Sequence, residues 1–278
     1  MPNIHPTAKI HPTAVIHDDA VIAANVEIGP YTVIGEDVQI GEGTKIGPHC
    51  IFEFCTIGKN NWFTGAAYVG MPPQDWSYHG EHTRFEMGDD NIIRESVTFH
   101  RGSHATLLTK VGNHCMFMAN SHVAHDGRIG NNVILVNCAS PAGHVHIDDR
   151  ATISGVSGIH QFTRIGKLAM VAGGGMVSQD ILPYVTAKGN PARPFRLNVV
   201  GMRRSGMTPD QIKSIKHVYK TLFFSHMRLK DAMEKLRAEN LPQEAVLMLD
   251  FIDGTKRGIA RPRALAGTGS STESGSEE

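Results

Sequence analysis

Isoleucine recurs at every sixth position at the start of this chain: Ile4, Ile10, Ile16, Ile22, Ile28, Ile34, Ile40 and Ile46. A helix would repeat its apolar face every 3.6 residues and an ordinary half-buried strand every two. A sustained step of six fits neither by itself. It is the signature of a hexapeptide parallel β-helix, a solenoid of short strands and turns in which each coil buries its neighbour.

The first block keeps one phase through Phe52, and the next apolar anchor, Ile57, comes one residue early. Phe63 follows, then Met87, Ile93 and Phe99. From Val111 the step runs through Phe117, Val123, Ile129 and Leu135 to Val177, with only Pro141 breaking the apolar series. The stretches 64–86 and 100–110 lack good anchors and are expected to be loops inserted into the solenoid, where function often resides. Glycine often follows the anchor (Gly29, Gly35, Gly41, Gly47, Gly58, Gly112, Gly130, Gly166), as expected at tight corners that need positive φ.

The six-residue pattern ends near Pro191. Thr208-Pro209-Asp210-Gln211 then reads as a helix start, with Thr208 at the N-cap, Pro209 in the first turn and Gln211 completing a capping box. Two more helices are expected around Leu229–Leu236 and Gln243–Phe251. The chain thus divides into a β-helix over 1–190, a helical domain over 191–264 and a Gly/Ser-rich tail over 265–278 expected to be disordered.

Hydrophobic residues are 41% and aromatics 6%, so the core must be built from Ile, Val and Ala. The polar start carries no secretory h-region, and no run approaches the ~18 apolar residues of a membrane span. Cys50, Cys55, Cys115 and Cys138 form no CxxC pair and read as reduced thiols of a cytoplasmic protein. The net charge of zero hides an asymmetry: residues 185–264 hold 16 Lys/Arg against 7 Asp/Glu, and residues 1–184 hold 11 against 17. A basic C-terminal segment points to an acidic partner or a phosphorylated ligand, or else to a solvated helical face. Nucleic acid is not an expected partner.

Three hexads make a coil of 18 residues, so positions 18 apart stack about one strand spacing (~4.8 Å) from each other. His125, Gly143 and Gln161 then form one stack, and Asp126, His144 and Phe162 the adjacent one. His160 lies above Ala142, and His122 is three residues before His125. The competing reading of this edge is a row of solvated histidines. His5, His11 and His17 repeat with the hexad and are read as structural. A histidine paired with a carboxylate is a general base for a hydroxyl or amine. No nucleophilic Ser or Cys lies beside it, which favours direct acyl transfer over a covalent intermediate, and the Gly143 amide can hold the developing oxyanion. Such chemistry needs no cofactor and no metal.

The hexads, together with Asn91-Ile-Ile-Arg94-Glu95-Ser96-Val-Thr-Phe-His100-Arg101-Gly102, His122-Val-Ala-His125-Asp126, Ala142-Gly143-His144 and His160-Gln161-Phe162, resemble the UDP-N-acetylglucosamine O-acyltransferase family, from the first hexad to about Arg261. The resemblance implies a left-handed β-helix, a homotrimer with sites between subunits, and a 3-hydroxyacyl donor on acyl carrier protein. The acceptor is then the 3-hydroxyl of a UDP-sugar in the first step of lipid A synthesis. By the same resemblance His125 is the base, Asp126 orients it and Gly143 supplies the oxyanion donor. His122, His144, His160 and Gln161 position substrate. Gln74 and Asp75 lie near the sugar and acyl chain, and Asn198 and Arg204 contact the nucleotide. The basic segment faces acidic carrier protein. Gly173, stacked on Gly155, matches an acyl-length ruler; the alternative is that both are corner glycines of the fold. The chain departs from the family pattern at Ser77, Pro191, Val200 and Ser205.

Three other readings compete. One is acylation of an amine on a 3-amino UDP-sugar, since the same base serves both acceptors. Another is a trimeric hexapeptide carbonic anhydrase with three histidines on zinc. The third is a scaffold without catalysis.

Overall fold

The computed structural model describes residues 1–263, so the tail expected to be disordered lies outside the described residues. The chain is a left-handed parallel β-helix with a helical C-terminal segment. Successive short strands fall on three faces in turn: nine strands on the first, eleven on the second, and a third face divided into runs of six and three. Ile4 pairs with Ile22, Ile10 with Ile28 and Ile16 with Ile34, each 18 residues apart.

Beyond the first coil, each hexad buries two side chains. The anchor is large, and the residue two before it is small: Ala20, Val26, Thr32, Ala139 and Ala151 are all fully buried. Large against small is how so few aromatics fill a narrow prism at native density. Cys50, Cys55 and Cys115 occupy the small inward position, and burial pushes the Cys50 and Cys115 thiols up to about 11. All four cysteines are free thiols.

The corners differ from expectation. The left-handed residue lies three after the anchor, as at Asn25, Tyr31 and Asn132 (φ 55–59°), and none of the eight glycines named from the sequence has positive φ. Those glycines answer to close approach instead. A Cβ on Gly47 would sit 2.2 Å from the Thr64 carbonyl oxygen, and one on Gly41 2.5 Å from the Gly58 carbonyl carbon. Between glycine and corner, two after the anchor, stand Pro6, Pro12, Pro30 and Pro48. Proline has no N–H to give, so the coil's backbone ladder does not need the amide at that position.

At Phe54 the corner comes one residue early (φ 44°), and Ile40 pairs with Ile57 across only 17 residues. Ile57 then pairs with Met87 across 30 residues, and Met87 with Val111 across 24. Both insertions are narrower than the anchor pattern suggests. Tyr68–Met71 and Arg84–Met87 are strands with Val69 and Phe85 fully buried, so the first insertion covers 72–83. Leu108–Val111 is also a strand, which leaves 101–107 for the second. Strand pairing across a coil holds these residues even where the six-residue step is lost.

The coil also outlasts the pattern. Val185–Lys188 pairs with Met170–Val171 and turns back to Arg193–Leu197, so the second face extends past Pro191 and the first helix begins only at Val199. The helices are α1 (Val199–Arg204), α2 (Pro209–Phe224), α3 (Leu229–Arg237) and α4 (Gln243–Asp253). In the α2 cap, Gln211 N–H donates to Thr208 Oγ1 at 3.2 Å and Thr208 N–H to Gln211 Oε1 at 2.8 Å. Helix α4 is fixed to the first face by Arg164, whose guanidinium lies 4.0 Å from the Phe251 ring centroid and donates to the Phe251 carbonyl at 3.1 Å. No helix among the described residues is long and apolar enough to cross a membrane.

Candidate active site

The histidine cluster occupies the edge between the third and first faces. Asp126, His144 and Phe162 are the left-handed corner residues of three successive coils, at φ 59°, 59° and 64°. His144 N–H donates to the His125 carbonyl at 3.0 Å and Phe162 N–H to that of Gly143 at 3.1 Å. These bonds hold the two columns expected from the 18-residue rule in register.

Within the columns the side chains interlock. His125 Nδ1 lies 2.7 Å from Asp126 Oδ2, and His144 Nε2 lies 3.7 Å from the same oxygen. The His144 ring stacks on Phe162 (4.3 Å, 10°) and meets His125 edge to face (5.2 Å, 88°). A Cβ on Gly143 would lie 2.6 Å from His125 Cε1 and Nε2, so the imidazole rests directly over the glycine. The Gly143 amide stands two residues after its anchor, and no protein acceptor takes its N–H among the described residues.

Asp126 is buried and fully bonded. Its carboxylate accepts the Ser103 N–H at 3.1 and 3.2 Å and the Thr106 hydroxyl, and its own N–H donates to Thr109 Oγ1 at 2.7 Å. Burial works to raise the carboxyl pKa. Hydrogen bonds from His125, Thr106 and Ser103 outweigh it and hold Asp126 well below the usual carboxylate range. An ionised acceptor fixes the proton on His125 Nδ1 and leaves the lone pair on Nε2, which lies over Gly143. Ser103 and Thr106 lie in the second insertion, which closes over Asp126. The sequence pattern does not point to either, because the insertion breaks the step that brings stacked residues together.

His122 is held from the third face by Thr98 Oγ1 at 2.7 Å and stands edge-on to His100 (4.7 Å, 77°). Burial, followed by neighbouring positive charge, lowers both pKa values, that of His100 to about 4. His144 is lowered mainly by burial. His160 and Gln161 are exposed beside Phe162. In the first insertion Gln74 is exposed, and Asp75 accepts the Ser77 N–H at 2.9 Å and the Ser77 hydroxyl at 2.8 Å. Those two bonds lower the Asp75 pKa, helped by the fields of His125 and His104. Ser77, one of the departures from the family pattern, is thus the cap of Asp75. His5 and His11 bond to Thr7 and Thr13 at 2.9 Å, and His17 to Asp19 at 2.5 Å, as local corner contacts far from this edge.

Other expected residues lie elsewhere on the same chain. Asn198 caps α1, accepting the Gly201 N–H at 3.0 Å and donating to the Leu168 carbonyl at 2.9 Å. With Arg150, Arg196, Arg204, Lys216 and Lys220 it lines a groove of about 1080 Å³ on the second face, which also holds Val200 and Ser205. Pro191 sits in the turn before Arg193–Leu197. Gly155 and Gly173 stack at the edge between the second and third faces, where a Cβ on Gly173 would meet only the Gly155 oxygen at 3.6 Å. The second face of the prism is opposite the edge that carries His125. One chain therefore does not bring the groove and the histidine pair together.

The ligand atoms of His125, Asp126 and His144 lie within 4.8 Å of one another, close enough for a metal ion. The Asp126 oxygens already take the Ser103 and Thr106 donors, and only two histidines converge here, where the zinc reading calls for three.

Residues 180–260 match the second domain of the UDP-N-acetylglucosamine O-acyltransferase family model, and residues 1–36 and 19–53 match the six-repeat bacterial transferase hexapeptide model. An acyl-[acyl-carrier-protein]--UDP-N-acetylglucosamine O-acyltransferase of Alkalilimnicola ehrlichii is 46% identical over 199 residues, covering 70% of this chain and 76% of that one. Its counterpart in Myxococcus xanthus is 46% identical over 208 residues, covering 74% and 81%. The solved UDP-N-acetylglucosamine acyltransferase of Francisella novicida superposes with a TM-score of 0.88 at 38% identity, covering 91% of this chain and 94% of that one.

Proposed function

The chain belongs to the UDP-N-acetylglucosamine O-acyltransferase family, and from that we propose that it moves a 3-hydroxyacyl group from acyl carrier protein to the 3-hydroxyl of UDP-N-acetylglucosamine, the first step of lipid A synthesis. The observation that carries the mechanism is the His125–Asp126 pair lying over Gly143. His125 Nε2 takes the hydroxyl proton as the sugar oxygen attacks the thioester carbonyl. Asp126 stabilises the imidazolium through Nδ1–H. The carbonyl oxygen gains charge and accepts the unused Gly143 amide. Collapse of the adduct forms the ester and expels the carrier thiol, which leaves with the proton held on His125.

This reading calls for a homotrimer. If Asn198 and Arg204 hold the nucleotide while His125 acts on its sugar, the two sets must come from neighbouring copies, because they face opposite sides of one prism. The basic groove suits the diphosphate, and the wider positive C-terminal segment suits an acidic carrier protein. The free thiols fit a reducing cytoplasm.

The test is an acyl-transfer assay with UDP-N-acetylglucosamine, its 3-amino analogue and hydroxyacyl carrier proteins of graded length. His125→Ala is expected to lose roughly 10²- to 10⁴-fold in turnover. Near-full activity in that variant would end the general-base assignment, and preference for the amine would reassign the acceptor.

A further inference from the structure

Arg101 is nearly buried, yet its closest carboxylate oxygen, on half-exposed Glu53, is 3.8 Å away. Its guanidinium is held by other groups. Nη1 donates to the Gly70 carbonyl at 2.7 Å, and Nη2 and Nε donate to the Tyr78 hydroxyl at 3.1 and 3.4 Å. The Phe54 ring lies beneath it at 4.6 Å. Burying a cation without a close counter-ion is costly, and a well-packed apolar side chain would serve the core as well or better. What the guanidinium supplies is a fixed connection.

That connection joins the two insertions. Gly70 and Met71 lead into the first insertion, and Arg101 N–H donates to the Met71 carbonyl at 3.0 Å. Tyr78 lies midway along it and passes its own proton to the Glu81 carbonyl at 2.9 Å. Arg84 follows its end, and Gly102 N–H donates to the Arg84 carbonyl at 3.1 Å. Arg101 and Gly102 therefore contact the start, middle and end of the first insertion while opening the second. One residue further on, Ser103 donates to Asp126.

We propose that Arg101 is a positioning residue that makes the loop carrying Gln74 and Asp75 a rigid extension of the clasp on Asp126, and so registers the acceptor hydroxyl against His125. The proposal rests on the acyltransferase reading given above. It assigns to Arg101 no contact with substrate.

The test uses Tyr78→Phe, Arg101→Lys and Gln74→Ala, singly and combined, on the full-length enzyme. Thermal melting, direct binding of UDP-N-acetylglucosamine, and kcat and KM for each substrate are measured. Tyr78→Phe removes one hydroxyl and is expected to raise the KM for the nucleotide sugar roughly 3- to 10-fold with the donor KM unchanged. Arg101→Lys keeps the charge, loses the fork and is expected to raise it roughly 10- to 50-fold. In the Arg101→Lys background, Gln74→Ala should cost less than it does alone, because the loop it sits on is already out of register. If Arg101→Lys does not fold, Tyr78→Phe with Gln74→Ala carries the same cycle. Variants with lowered melting temperature but wild-type KM, or strictly multiplicative effects, overturn the proposal while leaving the acyltransferase reading intact. Wild-type protein that neither binds nor acylates UDP-N-acetylglucosamine overturns both.

Discussion

Gly143 shows how much of the site depends on one absent methyl group. Its α-carbon is the floor under the His125 ring, and a Cβ there would lie 2.6 Å from two ring atoms. The imidazole is the movable partner, so the fold can absorb Gly143→Ala by swinging His125 away, at the expense of its bond to Asp126. We expect that variant to keep its melting temperature within a few degrees and to lose roughly 10²-fold or more in kcat. A Gly143→Ala enzyme with wild-type kcat would show that the ring does not need its place above the glycine. The pairing itself was open to inspection in the sequence, since His125 and Gly143 are 18 apart and no insertion lies between them. Ser103 and Thr106 were not. They reach Asp126 across 23 and 20 residues, through a segment whose length no repeat specifies.

Among elements, the corners repay comparison with their sequence pattern. The expectation of positive φ at the glycine after each anchor fails because two demands occupy different positions. Close approach of the next coil requires glycine one after the anchor, while the left-handed turn falls two residues later on residues as different as Asn25, Tyr31, Val156 and Phe162. A single sequence marks the abundant glycines and leaves the turn unmarked. Above Gly155, the corner at Gly173 leaves space, since a Cβ there would meet only the Gly155 oxygen at 3.6 Å. Gly173→Met should therefore shorten the preferred acyl donor and cost the longest accepted chain roughly 10-fold or more in relative kcat/KM. Competition between donors of different length reads this directly, and an unchanged profile would remove the ruler assignment.

At the scale of the molecule, the buried histidines tie stability to pH. His100 has its pKa lowered to about 4, from an ordinary value near 6.5, so between these values the unfolded chain binds the proton that the folded chain refuses. The stability gained from keeping it neutral is complete above pH 6.5 and is lost as the pH falls toward 4. By pH 5 the loss is about 2 kcal/mol for this residue, and His122 and His144 act in the same direction. Urea midpoints should accordingly be lower at pH 5 than at pH 7.5, and equal midpoints would contradict the burial account. The long solenoid spreads such effects over many coils, yet the histidines gather on a single edge.

The amide two places after each anchor meets different fates along the prism. At eight corners no free N–H remains. Pro6, Pro12, Pro30 and Pro48 omit the N–H, and along the edge between the first and second faces a ladder of side chains fills it, from Lys59 onto Asp89, Asp89 onto Asn113, Asn113 onto Asn131 and Asn131 onto Asp149, at 2.7–2.9 Å. Beside His125 the socket at Gly143 stays empty. Ala24, Glu36 and Ala119 leave theirs open as well among the described residues, so the prism holds outward donors in reserve at many corners, and what sets the one at Gly143 apart is the His125 imidazole lying over it.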